Sequence, residues 1–184
     1  MSKRLFDIVL SILLLLLFWW LILILFLSST IIFRENGFFI QKRIGKNKEE
    51  FLIIKIRSLP KDNKRVNTYG EFIRKMKLDE VPQLLNILLG NMSFVGPRPQ
   101  LPEYHEKYSS YPEELYKIKP GLTGLASLFF FHENKMKEEL PQQLLFEDWC
   151  YEKKNSLDVI YYNHMSLCYD IKIISLTFKK VIWS

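Results

Sequence analysis

Residues 8–27 read "IVLSILLLLLFWWLILILFL", twenty positions with Ser11 as the single polar side chain and no charge. Wound as one helix, such a run is about 30 Å long, enough to match the hydrocarbon core of a bilayer. It is too long for the apolar part of a signal peptide, and "SSTIIF" after it lacks a small-x-small cleavage site. The chain is therefore read as a membrane protein. Lys3 and Arg4 precede the run, while Arg34, Lys42, Arg43, Lys46 and Lys48 follow it. The positive-inside rule places the larger basic cluster, and the bulk of the chain, in the cytoplasm; the bases at the N-terminus favour the same side. A re-entrant segment that dips into the membrane and returns satisfies both demands and is the expected topology. A straight transmembrane helix is the alternative.

The formal net charge of +6 over 184 residues suits a body held against anionic headgroups, where each nearby base is worth about 1 kcal/mol. It also suits an anionic substrate. Nucleic acid is not indicated, because the bases are dispersed and neither a basic recognition helix nor zinc-finger spacing occurs. Cys150 and Cys168 are the only cysteines, which gives no disulfide framework and agrees with a reducing cytoplasm. His105, His132 and His164 lack metal-ligand spacing and are read as structural or surface residues.

Beyond the apolar run, "GFFIQKRIGKNKEEFLIIKIRSL" has two β-rich stretches around a turn at Gly45–Lys48, a β-hairpin pattern. The polar "PKDNKRVNTYG" is a loop, and "EFIRKMKL" from Glu71 is a short helix. In "KLDEVPQLLNILLG", Val81, Leu84, Leu85, Leu88 and Leu89 recur at helical spacing. Pro82 suits a first turn, and Gly90-Asn91 a stop. "SFVGPRPQLPEY" is a loop stiffened by Pro97, Pro99 and Pro102. "YPEELYKIKPGLTGLASL" brings a short helix, a turn at Pro120–Gly124 and another apolar run, and the remainder from Pro141 is helical in pattern. There Leu167, Ile171, Ile174 and Phe178 form a stripe that either lies in the membrane interface or closes the soluble core. The fold class is α+β, mostly helical, with an N-terminal membrane helix, a short β-hairpin and a cytoplasmic body.

Asp79 and Glu80 stand at or just before the first turn of the central helix. Capping and dipole effects alone favour acids there. Their surroundings point further. Adjacent carboxylates repel unless a cation is present, and Mg²⁺ takes one or two carboxylates together with phosphate oxygens. Arg98 sits between two prolines, which lowers the entropy lost in aiming its guanidinium at a phosphate. Arg74 and Lys55 could complete an anion pocket, although each alone is as readily a solvated charge.

The motifs "KRLFDIVLS", "FIQKRIGKNKEEFLIIKIRSL", "LDEVPQLLNILLGNMSFVGPRPQ", "KPGLTGLASL" and "LDVIYYNHMSLCYDIKIISLTF" resemble the small monotopic phosphoglycosyl transferases, also called bacterial sugar transferases, over nearly the whole chain. The resemblance implies residues 1–33 as a membrane-embedded segment and 34–184 as a cytoplasmic catalytic domain at the bacterial inner membrane. It implies transfer of a phosphosugar from a UDP-sugar to polyprenyl phosphate (undecaprenyl phosphate), with UMP released, as the first membrane step of glycan assembly. Asp79 matches the family's nucleophile, which carries the phosphosugar as a covalent adduct. Glu80 matches its acidic neighbour, which positions Mg²⁺ with Asp79 or assists charge balance. Lys55, Arg74 and Arg98 match substrate- or phosphate-binding positions, and Asp158 and Asp170 match acidic positions of the C-terminal motif. A second copy of the chain and downstream glycosyltransferases are the protein partners it suggests. Two departures stand out. Trp19-Trp20 replaces the Ser-Pro that breaks the family's membrane helix, and Leu125-Ala126-Ser127 with "FFFHEN" replaces Trp-Ala-Gln and an Asn-Gly-Arg turn. The rival reading is a non-catalytic basic adaptor on anionic lipid or a partner protein, which would need neither the acidic pair nor the proline-bracketed arginine.

Overall fold

Ser2 starts the first helix, its Oγ accepting from the Leu5 N–H, and without an internal proline or glycine the helix continues from Lys3 to Phe33 (α1). This computed structural model describes residues 2–61, 67–107, 111–131 and 143–183. Much of the polar loop expected around 60–70, His132 and the residues around Pro141 fall outside them.

α1 runs about 46 Å at 1.5 Å per residue, and its backbone stays helical through Trp19 and Trp20. Its two halves touch the same body. Leu10, Leu14 and Leu15 pack on one core cluster, and Leu21, Ile22 and Phe26 pack on a second. The polarity of this helix is inverted: Asp7, Ser11 and Ser29 are buried, whereas Leu13, Leu16, Leu17, Trp19 and Trp20 are exposed. A helix with such an outer face is suited to lipid rather than water.

The expected hairpin forms from β1 (Phe38–Ile44) and β2 (Glu50–Ile56), antiparallel, with Phe38 opposite Ile56 and Ile44 opposite Glu50. Asn67 caps α2 (Thr68–Lys75), its Oδ1 accepting from the Gly70 N–H. A 3₁₀ turn over Leu78–Glu80 leads into α3 (Gln83–Leu89). Pro82 lies at the entry, as expected, and Gly90 ends the helix in the left-handed region at φ 96°, where glycine costs least.

A second sheet was not foreseen. β3 (Ser93–Val95) pairs in parallel with β4 (Gly121–Thr123). The sequence reading gave these stretches to a proline loop and a glycine turn, because three-residue strands carry too little periodicity to register. Glycine is required where the two segments meet: a Cβ on Gly121 would lie 2.2 Å from the Gly96 nitrogen. Between and after these strands the chain forms α4 (Pro102–Lys107), a 3₁₀ helix over Glu113–Lys117 and α5 (Leu125–Phe129). Two longer helices follow, α6 (Gln143–Asn163) and α7 (Leu167–Trp183).

The main core joins Ile53, Leu84, Ile87, Met92, Phe94 and Val95 to Tyr161 and Ile173. Within α7 it is Asp170 and Ile173 that face inward, whereas Ile171 and Phe178 of the expected stripe are exposed. Of the stripe, Ile174 packs against this core and Leu167 is half-buried.

Candidate active site

The central helix is fastened at both ends. At its C-terminus, orphan carbonyls need donors, and Arg4 of α1 supplies them: Nη1 donates to Ile87 O at 2.6 Å and Nη2 to Leu88 O at 2.8 Å. Along its length, the buried Asn86 completes the edge of β2, accepting from the Ile54 N–H at 3.1 Å and donating to Leu52 O at 2.7 Å. This fixes β2 against α3 and brings Lys55 over the turn that carries Asp79 and Glu80. Asp7 adds a further tie, accepting from the Phe94 N–H at 3.2 Å.

Both carboxylates are buried, and they stand in the 3₁₀ turn rather than in the α-helix itself. Lys55 Nζ donates to Glu80 Oε1 at 2.7 Å, and Arg98 Nη2 lies 3.6 Å from the same oxygen. Burial opposes the charge of Glu80, but Arg98, Lys55 and Lys77 outweigh it and hold the carboxyl down at about 2. Asp79 is pushed the other way. Burial first, and the charge of Glu80 second, raise it to about 6, against the pull of Lys55, Lys77 and Arg74. Its Oδ1 is buried without a hydrogen-bond partner. Two neighbouring acids thus differ: one is locked in ion pairs, and the other is poised near neutrality with an unengaged oxygen.

Arg98 owes its place to a pinned loop. Gly121 N–H donates to Pro97 O at 2.8 Å, Ile44 N–H donates to Gln100 O at 2.9 Å, and Arg43 Nη1 donates to Pro99 O at 3.0 Å. Arg43 also donates through Nη2 to Gln41 Oε1 at 2.7 Å. Burial, with Arg98 nearby, lowers its pKa to about 10. Arg43, Lys55, Glu80, Gln83, Arg98 and Leu122 line one narrow cleft. Three cations facing one ionised acid leave the cleft with an excess of positive charge, which suits an anion.

Of the residues singled out from sequence, Asp79, Glu80, Lys55 and Arg98 come together. Arg74 is on the exposed side of α2, near enough to bias Asp79. Asp158 and Asp170 are elsewhere. Asp158, on α6, is buried behind α5; burial raises it to about 7 although the Ala126 backbone bond opposes the shift. Asp170 binds Lys3 and accepts from Tyr161 Oη at 2.6 Å, and Val95 O lies 3.2 Å from the same hydroxyl. That network ties α7, α6 and β3 to the start of α1, away from the cleft. Arg43, Gln83 and Lys77 were missed. For Arg43 the signal was its place in a strand, where alternation aims it with Gln41 to one face.

An apolar-faced helix clamped to a small body, with an acidic pair and fixed cations at one cleft, suits chemistry on an anion next to lipid. The chain belongs to the bacterial sugar transferase family, whose sequence profile matches residues 1–184. It is 34% identical to the "uncharacterized sugar transferase EpsL" of Bacillus subtilis, over 99% of this chain and 88% of that protein. It is also 34% identical to the undecaprenyl-phosphate glucose phosphotransferase of Komagataeibacter xylinus, over 100% of this chain and 36% of that protein. Identity is 33% with the UDP-glucose:undecaprenyl-phosphate glucose-1-phosphate transferase of Xanthomonas campestris, over 79% and 31%. The chain thus spans most of the Bacillus relative but about a third of each of the other two.

Proposed function

We propose that this protein moves a phosphosugar from a UDP-sugar to polyprenyl phosphate at the cytoplasmic face of the bacterial inner membrane. The observation that carries the reading is the contrast within the acidic pair: Asp79 keeps an unpartnered, buried carboxylate oxygen, while Glu80 next to it is engaged by Lys55 and Arg98. An ionised Asp79 oxygen attacks the β-phosphorus of the donor. The bond from that phosphorus to the bridging oxygen breaks, and UMP leaves with the electron pair. An oxygen of the lipid phosphate then attacks the aspartyl-bound phosphorus, the acyl-phosphate bond breaks, and the Asp79 carboxylate is restored. Lys55, Arg98 and the cleft's other donors orient the diphosphate and neutralise its charge.

The pair also fits Mg²⁺, an oxygen-seeking cation that takes one or two carboxylates and leaves its other positions to water and phosphate. Asp79 Oδ1 and Glu80 would hold it. Bound there, it would screen the diphosphate and ease departure of UMP. Since both ends of α1 are held by one body, the helix would be embedded lengthwise with its termini on the same side. Its exposed leucines and tryptophans, and Ile171 and Phe178 of α7, would face lipid.

Incubating the purified protein in lipid nanodiscs with a panel of UDP-sugars, Mg²⁺ and undecaprenyl phosphate tests this. UMP and a polyprenyl diphosphate-sugar should form together. UMP without the lipid product would indicate another acceptor, and neither product with any donor would contradict the reading.

A further inference from the structure

Between α5, α6 and α7 lies an open groove of about 540 Å³, within the size range of small-molecule sites. Its walls are apolar: α5 lends Leu125 and Leu128, α6 lends Leu157, and α7 lends Leu176 and Trp183. Lys179 and Lys180 line it as well, and both are exposed. Lys180 Nζ donates to Leu128 O at 2.8 Å, so its charge is held at the α5 wall. An apolar trough bearing two ammonium groups complements a molecule with a hydrocarbon chain and an anionic head.

The groove also has the right address. Leu122 lines the catalytic cleft and Leu125 lines the groove; three residues of chain span at most about 11 Å. The intervening Thr123 shares a 2.7 Å hydrogen bond with Thr177 of α7, one residue from Leu176. Trp183, which also lines the groove, belongs with Phe178 and Ile182 to the exposed apolar surface of α7. The groove thus shares chain with the cleft through β4 and shares Trp183 with the apolar surface suited to lipid.

We infer that this groove binds the isoprenoid chain of the acceptor, with the two lysines drawing the phosphate to its mouth and the cleft taking that phosphate at Asp79. The inference rests on the transfer reaction proposed above. A phospholipid acyl chain is the competing occupant, and the test separates the two.

Leu128→Trp and Leu176→Trp would fill the groove. Each should raise the KM for undecaprenyl phosphate at least about tenfold, the worth of roughly two buried CH₂ groups. The burst of UMP formed from donor alone should persist in both, which also reports a folded cleft. An unchanged acceptor KM with the burst intact overturns the groove; absence of the burst from the wild type overturns the transfer reaction instead. Photocrosslinking of the wild type covers the case in which neither variant folds. A diazirine-bearing polyprenyl phosphate should label peptides containing Leu125–Phe129 and Leu176–Trp183, and excess polyprenyl phosphate should suppress the label while phospholipid does not. Labelling confined to other peptides, or equal suppression by phospholipid, contradicts the inference.

Discussion

Lys55 Nζ and Glu80 Oε1 meet at 2.7 Å, with both side chains largely out of solvent, at 14% and 11% exposure. The contact ties the hairpin to the turn that carries the acidic pair and leaves Asp79 as the acid without an ion-pair partner. It also sets the terms on which an anion enters the cleft, because a phosphate must share Lys55 and Arg98 with Glu80.

Removing one arm of that contact isolates a buried charge. Lys55→Met should lower unfolding stability by about 3 kcal/mol, the lower end for breaking a buried pair because Arg98 still faces Glu80. Glu80 is held at about 2, below its ordinary 4.5, so its stabilisation is full above pH 4.5 and is lost as pH falls toward 2. Denaturant titrations from pH 2 to 7 should show a shallower acid loss in the variant. Equal slopes would mean that Lys55 does not hold Glu80 down.

The raised pKa of Asp79 predicts the opposite behaviour for that acid. Attack needs the ionised carboxylate; in the metal-free protein the Asp79 carboxyl, followed by NMR, should ionise through about 6. Lys77 favours the ionised form. Lys77→Met should therefore move the inflection upward, and an unmoved inflection would assign the titration to another group.

Arg43 acts through the loop that carries Arg98. A lysine cannot reproduce its two-pronged reach to Pro99 O and Gln41 Oε1. Arg43→Lys should raise donor KM by about tenfold, a change of ~1.4 kcal/mol, with little effect on the pH inflection of Asp79. A wild-type KM would show that the prolines alone fix the loop.

Asp170 tests the difference between anchoring and chemistry. Lys3 is about one-third exposed, so Lys3→Met should cost about 2 kcal/mol, less than a fully buried pair. Asp170→Asn should lower thermal stability but leave donor KM unchanged. A selective rise in donor KM would place Asp170 at the substrate after all.

Much of this arrangement was legible in the chain. The apolar run, the hairpin around Gly45–Lys48 and the helix between Pro82 and Gly90 each carry a strong local pattern, and they form as expected. The meeting of Lys55, Glu80 and Arg98 was suggested by their charges and by the proline-bracketed arginine, but residues 25 and 18 apart in sequence show no spacing rule, and the resemblance gave it its weight. The inverted face of α1 could not be read, since beyond Lys3, Arg4 and Asp7 every side of that helix is apolar but for a few hydroxyls. Nor could the roles of Arg4 and Asn86, which satisfy backbone groups of other elements, be told from those of ordinary polar residues. Asp158 and Asp170 share a C-terminal motif with no local sign that one would pair with Lys3 and the other lie behind α5.

The most direct measurement is intact mass of the protein after mixing with a reactive UDP-sugar and Mg²⁺ in the absence of acceptor lipid. The account expects a gain equal to one sugar-phosphate, mapped by proteolysis to Asp79, discharged on adding undecaprenyl phosphate and missing from Asp79→Asn. Rapid turnover by Asp79→Asn, or an adduct on any other side chain, would contradict it.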